Sequence, residues 1–323
     1  MDWGAVFGAG AIVPWLNAGI RLAMPTACAA AGETFAERAG VLNLGLEGMM
    51  LGGALGSFLV SIETGNTWIG FLAAPAVGAA MALGMGLFTI KLKAEQVVAG
   101  ITVVLLASSF TSFLYQELFE IQAAPPRIER LPVVQIPLLG HIPGIGPILF
   151  RQNVLVYVGV AMIVAVWLLL FRTRLGLAVR AVGESPSSAD SNGVPVDRVR
   201  MLALVVSGAM AGVGGGVLVI AQLGFYQDQV TAGRGWIAIA LVYFSRWNPL
   251  WALGGAMLFG VVDSLQLRIQ AAGGGFHNPI PFEVFQALPY LVTLVVLIFA
   301  AKRQRRVNQP AALGVPYEKE ATA

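Results

Sequence analysis

The sequence predicts an all-α, polytopic membrane protein of about nine transmembrane helices, with its N-terminus outside and its C-terminus in the cytoplasm. Three observations predict it. The 323 residues are 57% hydrophobic and only 11% charged, where a water-soluble domain carries about 25% charged residues. Mean hydropathy is +0.77. Several apolar runs reach roughly 18 residues or more, enough to cross a hydrocarbon core about 30 Å thick. Alternating segments of about ten residues, the mark of a membrane barrel, do not occur. Helices are therefore expected, since they satisfy their backbone internally.

The runs lie at 12–31, 44–62, 67–90, 98–115, 153–171, 201–222, 234–247, 249–267 and 287–301. Arg172, Arg174, Arg180, Arg198 and Arg200 place the loop 172–200 inside, and Lys302, Arg303, Arg305 and Arg306 do the same for the last run's end. An even number of runs separates the two, so the assignments agree. Counting back brings Lys91 and Lys93 inside, then the segment 33–43 with Arg38. The run 234–247 is short enough to be a half-inserted helix, which would remove one support of this parity.

Met1–Gly10 lacks a basic leader region, so the first run reads as a retained span. Pro25 should kink it, and Arg21 one turn earlier needs a partner or an interface. Gly48, Gly52 and Gly56, and again Gly208, Gly212 and Gly216, carry the small-residue spacing that lets membrane helices approach closely. The segment 116–152 is broken by Pro125, Pro126, Pro132, Pro137, Pro143 and Pro147, and reads as an ordered external loop, either a cap over a pore mouth or a plain connector. Gly273–Gly275, Pro279, Pro281 and Pro289 suggest a broken entry to the last span. The two halves could be distant repeats, but no internal identity demonstrates it. Residues 1–306 form the membrane domain, and 307–323 is expected to be a flexible cytoplasmic tail without function.

Chemistry-bearing patterns are few. There is no phosphate-binding G-x-x-x-x-G-K-[ST] loop and no G-x-S-x-G nucleophile elbow, so no enzyme is expected. His141 and His277 are isolated, and no metal site is expected. Cys28 is the sole cysteine and forms no intrachain disulfide. Basic residues cluster at span ends, which argues against nucleic acid as a partner. Glu47 and Asp263 are the carboxylates deepest in apolar runs, and Glu47, in NLGLEG, is equally suited to a structural hydrogen bond or to a transport path.

The longest polar, basic interruption is 172–200, RTRLGLAVRAVGESPSSADSNGVPVDRVR. Ser185-Pro186 reads as an N-cap followed by proline at the first helical position, and Asn192-Gly193 as a stop, so Pro186–Ser191 should be a helix of one or two turns. A short helix with a small-residue face, braced by arginines, suits a groove on a partner. A solvated loop is the plain alternative.

This segment, together with GETFAERAGVLNLGLEGMMLGGALGSF at 32–58, WIAIALVYFSRWNPLWALGGAMLFGVVDSLQ and FQALPYLVTLVVLIFAAKR, resembles the ABC-importer permeases of the simple-sugar and nucleoside type, relatives of ribose and branched-chain amino acid permeases. The resemblance covers about residues 12–306. Where ribose-type relatives carry a GIDLSVG-like motif this chain has GVLNLGLEG, which favours nucleosides. The resemblance implies a subunit of the bacterial cytoplasmic membrane, paired with a second permease, ATP and Mg bound on a separate cytoplasmic ATPase, and an extracytoplasmic binding protein that delivers substrate. By the same analogy Gly176, Arg180, Gly183, Glu184, Pro186 and Gly193 form the ATPase contact. Asn43, Glu47, Gln96, Gln222, Phe225, Trp236 and Gln286, near span ends or breaks, are candidates for the substrate path. A pentose permease, an ion-coupled carrier acting alone and a non-transporting scaffold are the competing readings.

Overall fold

The computed structural model describes residues 8–119, 126–137, 139–272 and 309–318, with Ala287, Leu291 and Leu294. Expectations for Gln286, for the break at 273–289 and for most of the last span fall outside the described residues. The three described positions of that span are helical.

The helices are α1 (Ala9–Arg38), α2 (Leu46–Thr64), α3 (Thr67–Gly86) with a π-helical extension Leu87–Lys91, α4 (Gln96–Phe119), α5 (Ile145–Leu149), α6 (Val154–Arg172), α7 (Arg174–Glu184), α8 (Pro186–Ser191), α9 (Val196–Gly216) with a π-helical extension Val217–Leu223, α10 (Arg234–Phe244) and α11 (Pro249–Ala272). Six of them, counted with their extensions, are long and apolar enough to cross a membrane: α2, α3, α4, α6, α9 and α11. The described residues are mostly helical, as expected, with one short exception. Val133–Gln135 (β1) pairs antiparallel with Arg151–Asn153 (β2), and the ribbon closes the proline-rich loop. Proline removes donors that a helix needs, so this segment satisfies its backbone across strands instead.

Local chemistry sets the boundaries. Asn66 caps α3, its Oδ1 accepting from Trp68 N at 2.9 Å. Asn153 caps α6 by accepting from Leu155 N at 2.9 Å. Thr173 caps α7 by accepting from Gly176 N at 3.1 Å. Gly65 ends α2 in the left-handed conformation at φ +64°.

Helix α1 is the central element, packed against α9 and α11. It runs past the expected end of the first span and takes in Glu33 and Glu37, which lie buried rather than in a loop. The glycine stripes are seams within the chain. A Cβ on Gly212 would lie 2.1 Å from the Ala74 carbonyl oxygen, and one on Gly208 would lie 2.4 Å from that of Gly78. Helices α9 and α3 therefore touch backbone to backbone.

The ends of the bundle differ. One, the loop end, carries residues 126–153. It is pinned where Asn17 Nδ2 donates to Pro147 O at 2.7 Å and Arg130 donates to Leu223 O at 2.6 Å. The other, the basic end, carries Arg38, Lys93 and the α7–α8 segment.

Candidate functional site

Two places concentrate polar side chains. The first is the hairpin of α7 and α8 at the basic end. Gly176 is buried where α7 folds back on α6, and a Cβ there would lie 2.2 Å from the carbonyl oxygens of Leu169 and Leu170. Gly183 does the same against α1, where a Cβ would lie 2.1 Å from Arg38 O. Any larger residue at either position would lift α7 off the bundle. Arg180 lies 5.4 Å from the Phe171 ring centre, so its aliphatic stem and charge are held against α6. Glu184, at the end of α7, is exposed.

Pro186 starts α8, and Gly193, at φ +80°, ends the turn after it. The expected N-cap at Ser185 differs in one respect. Its hydroxyl donates to Ser188 Oγ at 2.8 Å and makes no bond to a helix N–H. Outer residues of α8, including Ser187, Ser188 and Ser191, face solvent. The result is a rigid helical elbow with its inner face locked by glycines and its outer face free.

The second place is at mid-height, where two non-helical stretches approach each other. Residues 39–45 climb from the basic end. Leu42 N donates to Gln96 Oε1 at 2.8 Å, and Asn43 N donates to Glu33 Oε1 at 2.9 Å. Residues 224–233 descend from the loop end. Gly224 O accepts from Ile128 N at 2.8 Å there, and Gln229 Nε2 reaches Ser108 Oγ, near the middle of α4. They meet at Glu47, which accepts from Thr231 Oγ1, from Gly233 N at 2.9 Å and from Gly235 N at 2.6 Å. Glu47 thereby satisfies the first N–H groups of α10 and places a negative charge at that helix's positive end. A Cβ on Gly235 would lie 2.6 Å from Glu47 N, so only glycine permits this approach.

Beyond α10, the chain reaches the basic end, where Arg38 Nε donates to Trp247 O at 3.1 Å. The run 234–247 is thus the second half of a traverse whose first half is not helical. Periodicity could not reveal it, because the non-helical half has no helical period.

The predicted path residues separate into two groups. Asn43, Glu47 and Gln96 each bond a backbone group or side chain at a break, whereas Gln222 bonds the interior of α1. Asn43 Nδ2 also donates to Ser207 Oγ at 3.0 Å. Gln222 Nε2 donates to Arg21 O at 2.6 Å. Phe225 is half-buried beside Tyr226, which packs with Phe58 and Tyr115. Trp236 projects from α10 with 43% of its surface exposed.

The sequence reading missed a buried network around Glu33 and Glu37. Ser207 Oγ donates to Glu33 Oε2 at 2.8 Å, and Trp247 Nε1 donates to Glu37 Oε2. Their i, i+4 spacing in GETFAER was the available signal. Asp263 pairs with Arg234 at 3.2 Å, with both side chains mostly buried. No group of three or more metal-ligating side chains occurs among the described residues. A groove of about 890 Å³ bounded by α2, α3 and α4 is lined by Leu55, Met81, Phe88, Val98, Leu106 and Phe110. Such walls offer little to a hydroxyl-rich solute.

A helical bundle crossed by broken backbone at mid-height, with a helical elbow hung from one end, is the framework of a membrane transport component. The family model described as branched-chain amino acid transport system / permease component matches residues 16–301, and the chain belongs to that family. The putative glucose ABC transporter permease protein TsgC13 of Haloferax volcanii is 39% identical, over 94% of this chain and 97% of the relative. The nucleoside ABC transporter permease protein NupC of Lactococcus lactis is 34% identical, over 89% and 91%. The guanosine ABC transporter permease protein NupQ of Bacillus subtilis is 34% identical, over 92% and 94%. No solved structure matches. The chain is an ABC transporter permease subunit, a multi-pass integral membrane protein of the inner membrane in bacteria. It is a transport component and not an enzyme, and ATP hydrolysis falls to a separate ATPase.

Proposed function

We propose that this subunit imports nucleosides or related purine and pyrimidine compounds, driven by an ATPase that engages α7 and α8 in the cytoplasm. The observation that carries the coupling reading is the elbow itself, fastened to α6 through Gly176 and to α1 through Gly183. A push on α8 reaches two long helices without slack. The permease adds only differential stability between inward-open and outward-open states, and the drive comes from ATP. Gly176, Arg180, Gly183, Glu184, Pro186 and Gly193 form the docking segment.

Nine crossings follow if 225–247 counts as one, broken at Gly233, and 287–301 as the last. The N-terminus is then outside and the C-terminus inside. The path runs beside the two breaks. Asn43, Glu47 and Gln96 hold those breaks as hydrogen-bonded backbone, Gln222 fastens the end of α9 to α1, and Phe225 and Trp236 are the side chains that meet a solute, with Gln286 as a further candidate. An aromatic ring suits a flat nucleobase, which stacks without tight, slow-release bonding. A second permease subunit pairs with this one, and the exposed apolar face of α4 around Leu105, Leu106, Phe110 and Phe113 leaves room for it or for lipid. A binding protein delivers substrate at the loop end.

The two nucleoside relatives and GVLNLGLEG support this substrate class. The 39% identity to a putative glucose permease supports a simple sugar as the second reading. Uptake into vesicles holding the full complex separates them. Labelled guanosine or uridine should accumulate with ATP, and excess unlabelled glucose or ribose should not compete. Accumulation of glucose or ribose alone would replace the nucleoside reading with the sugar one.

A further inference from the structure

Residues 309–318 were expected to be a loose tail, but they lie against the basic end. Pro310 is buried, and two successive turns follow, closed by Leu313 N to Pro310 O and Val315 N to Ala312 O. Ala312 N donates to Gly183 O at 2.9 Å, and Gly314 N donates to Gly40 O at 3.1 Å. Arg200 Nη1 donates to Val315 O at 2.9 Å. The Glu318 carboxylate lies 3.5 Å from Lys93 Nζ. Leu313 and Tyr317 pack on the hydrophobic core.

Four separate elements are tied together by this one segment: the end of α7, the turn that begins the first break, the foot of α9 and the loop between α3 and α4. The tie is incomplete at its centre. Arg200 is 3% exposed, yet its Nε and Nη2 have no hydrogen-bond partner. Asp197, one turn earlier on α9, and Tyr317 of the 309–318 segment itself are the ionisable groups that act on it through space. A charged group with unpaired donors disfavours its own burial. The Lys93–Glu318 pair at the far end is open to water, with side chains 40% and 79% exposed, so it holds weakly.

We propose that residues 309–318 are a releasable strap that ties the docking helix α7 to the first break and to the Lys93 loop at rest, and lets go when α7 moves. This rests on α7 and α8 being the ATPase contact. Movement of α7 relative to the Lys93 loop must either stretch the strap or free one of its ends. Freeing it returns the Arg200 guanidinium to water. The strap thus opposes movement of the elbow until the partner pushes.

The test uses the full complex in vesicles, with Cys28→Ser to remove the sole cysteine. Lys93→Cys and Glu318→Cys are joined by a short bis-methanethiosulfonate spacer, which a reductant cleaves. ATP-driven uptake should fall at least tenfold on linking and recover with dithiothreitol. Linking yield should also drop several-fold when a trapped nucleotide holds the ATPase closed. A variant ending after Asn308 should hydrolyse ATP several-fold faster without the binding protein. Uptake at equal rates in the linked and unlinked complexes, with a linking yield indifferent to nucleotide, overturns the strap alone. A complex that imports nothing in either form overturns the import reading beneath it.

Discussion

Gln222 Nε2 donates to the carbonyl of Arg21 at 2.6 Å. That carbonyl is the one Pro25 leaves without a helical partner, because proline has no N–H to donate four residues on. Helix α1 therefore continues through Pro25 to Arg38 without a break. A side chain from the π-helical end of α9 supplies the bond that α1 cannot make for itself. The two longest central helices are joined at the point where one of them is weakest.

Gln222→Leu should cost about 1–3 kcal/mol by leaving that carbonyl unpaired. The cost should shrink in a Pro25→Ala background, where the backbone N–H restored at that position can serve Arg21 O. Thermal unfolding of the purified permease in detergent, run as a double-mutant cycle, measures this. Equal costs in both backgrounds would refute the repair.

Glu47→Gln should reduce the amount of folded protein rather than change transport alone. The carboxylate accepts from Thr231 Oγ1, Gly233 N and Gly235 N. An amide replaces one acceptor oxygen with a donor, facing a backbone N–H. The loss should be about 3 kcal/mol or more, as for a buried charged hydrogen bond left mispaired. Fluorescence-detected gel filtration gives the folded fraction, and uptake should fall in proportion to it. Normal folding with lost uptake would instead make Glu47 a path residue.

Deleting 186–191 should leave the bundle folded and abolish both ATPase co-purification and uptake. Gly183→Ala tests the same joint more finely, since its Cβ would meet Arg38 O at 2.1 Å. Co-purification with the ATPase and ATP-dependent uptake are the readings, and full uptake in the deletion variant would remove the docking role from α8.

Arg234→Met with Asp263→Leu should retain ATP-driven uptake. The pair is mostly buried, and replacing both partners by apolar groups is often neutral, whereas removing one costs roughly 3–5 kcal/mol. An ion-coupled carrier using Asp263 would lose all transport in the double variant. That outcome in vesicles would favour the carrier reading over the ATP-driven one.

The membrane class, the α8 helix and its Pro186 and Gly193 boundaries were legible from sequence, because hydropathy and turn chemistry are local properties. The family was legible from long motifs. Glu47 stood out as a deep carboxylate, but its partners Thr231, Gly233 and Gly235 lie far along the chain, and no spacing rule connects them. The role of Gln222 was hidden for the same reason.

By itself the sequence determined that this chain must live in a bilayer as helices, since so few charges cannot clothe a water-facing surface. It also determined where α8 begins and ends, at Pro186 and at Asn192-Gly193. Only the tertiary structure decided that the segment 224–247 is helical only from Arg234 onward, that 309–318 is fastened to Gly183 and Gly40, and that Glu33 and Glu37 are interior. Those outcomes depend on hydrogen bonds between residues distant in sequence. Backbone leaves a helix inside a membrane only where such bonds replace the ones it gives up.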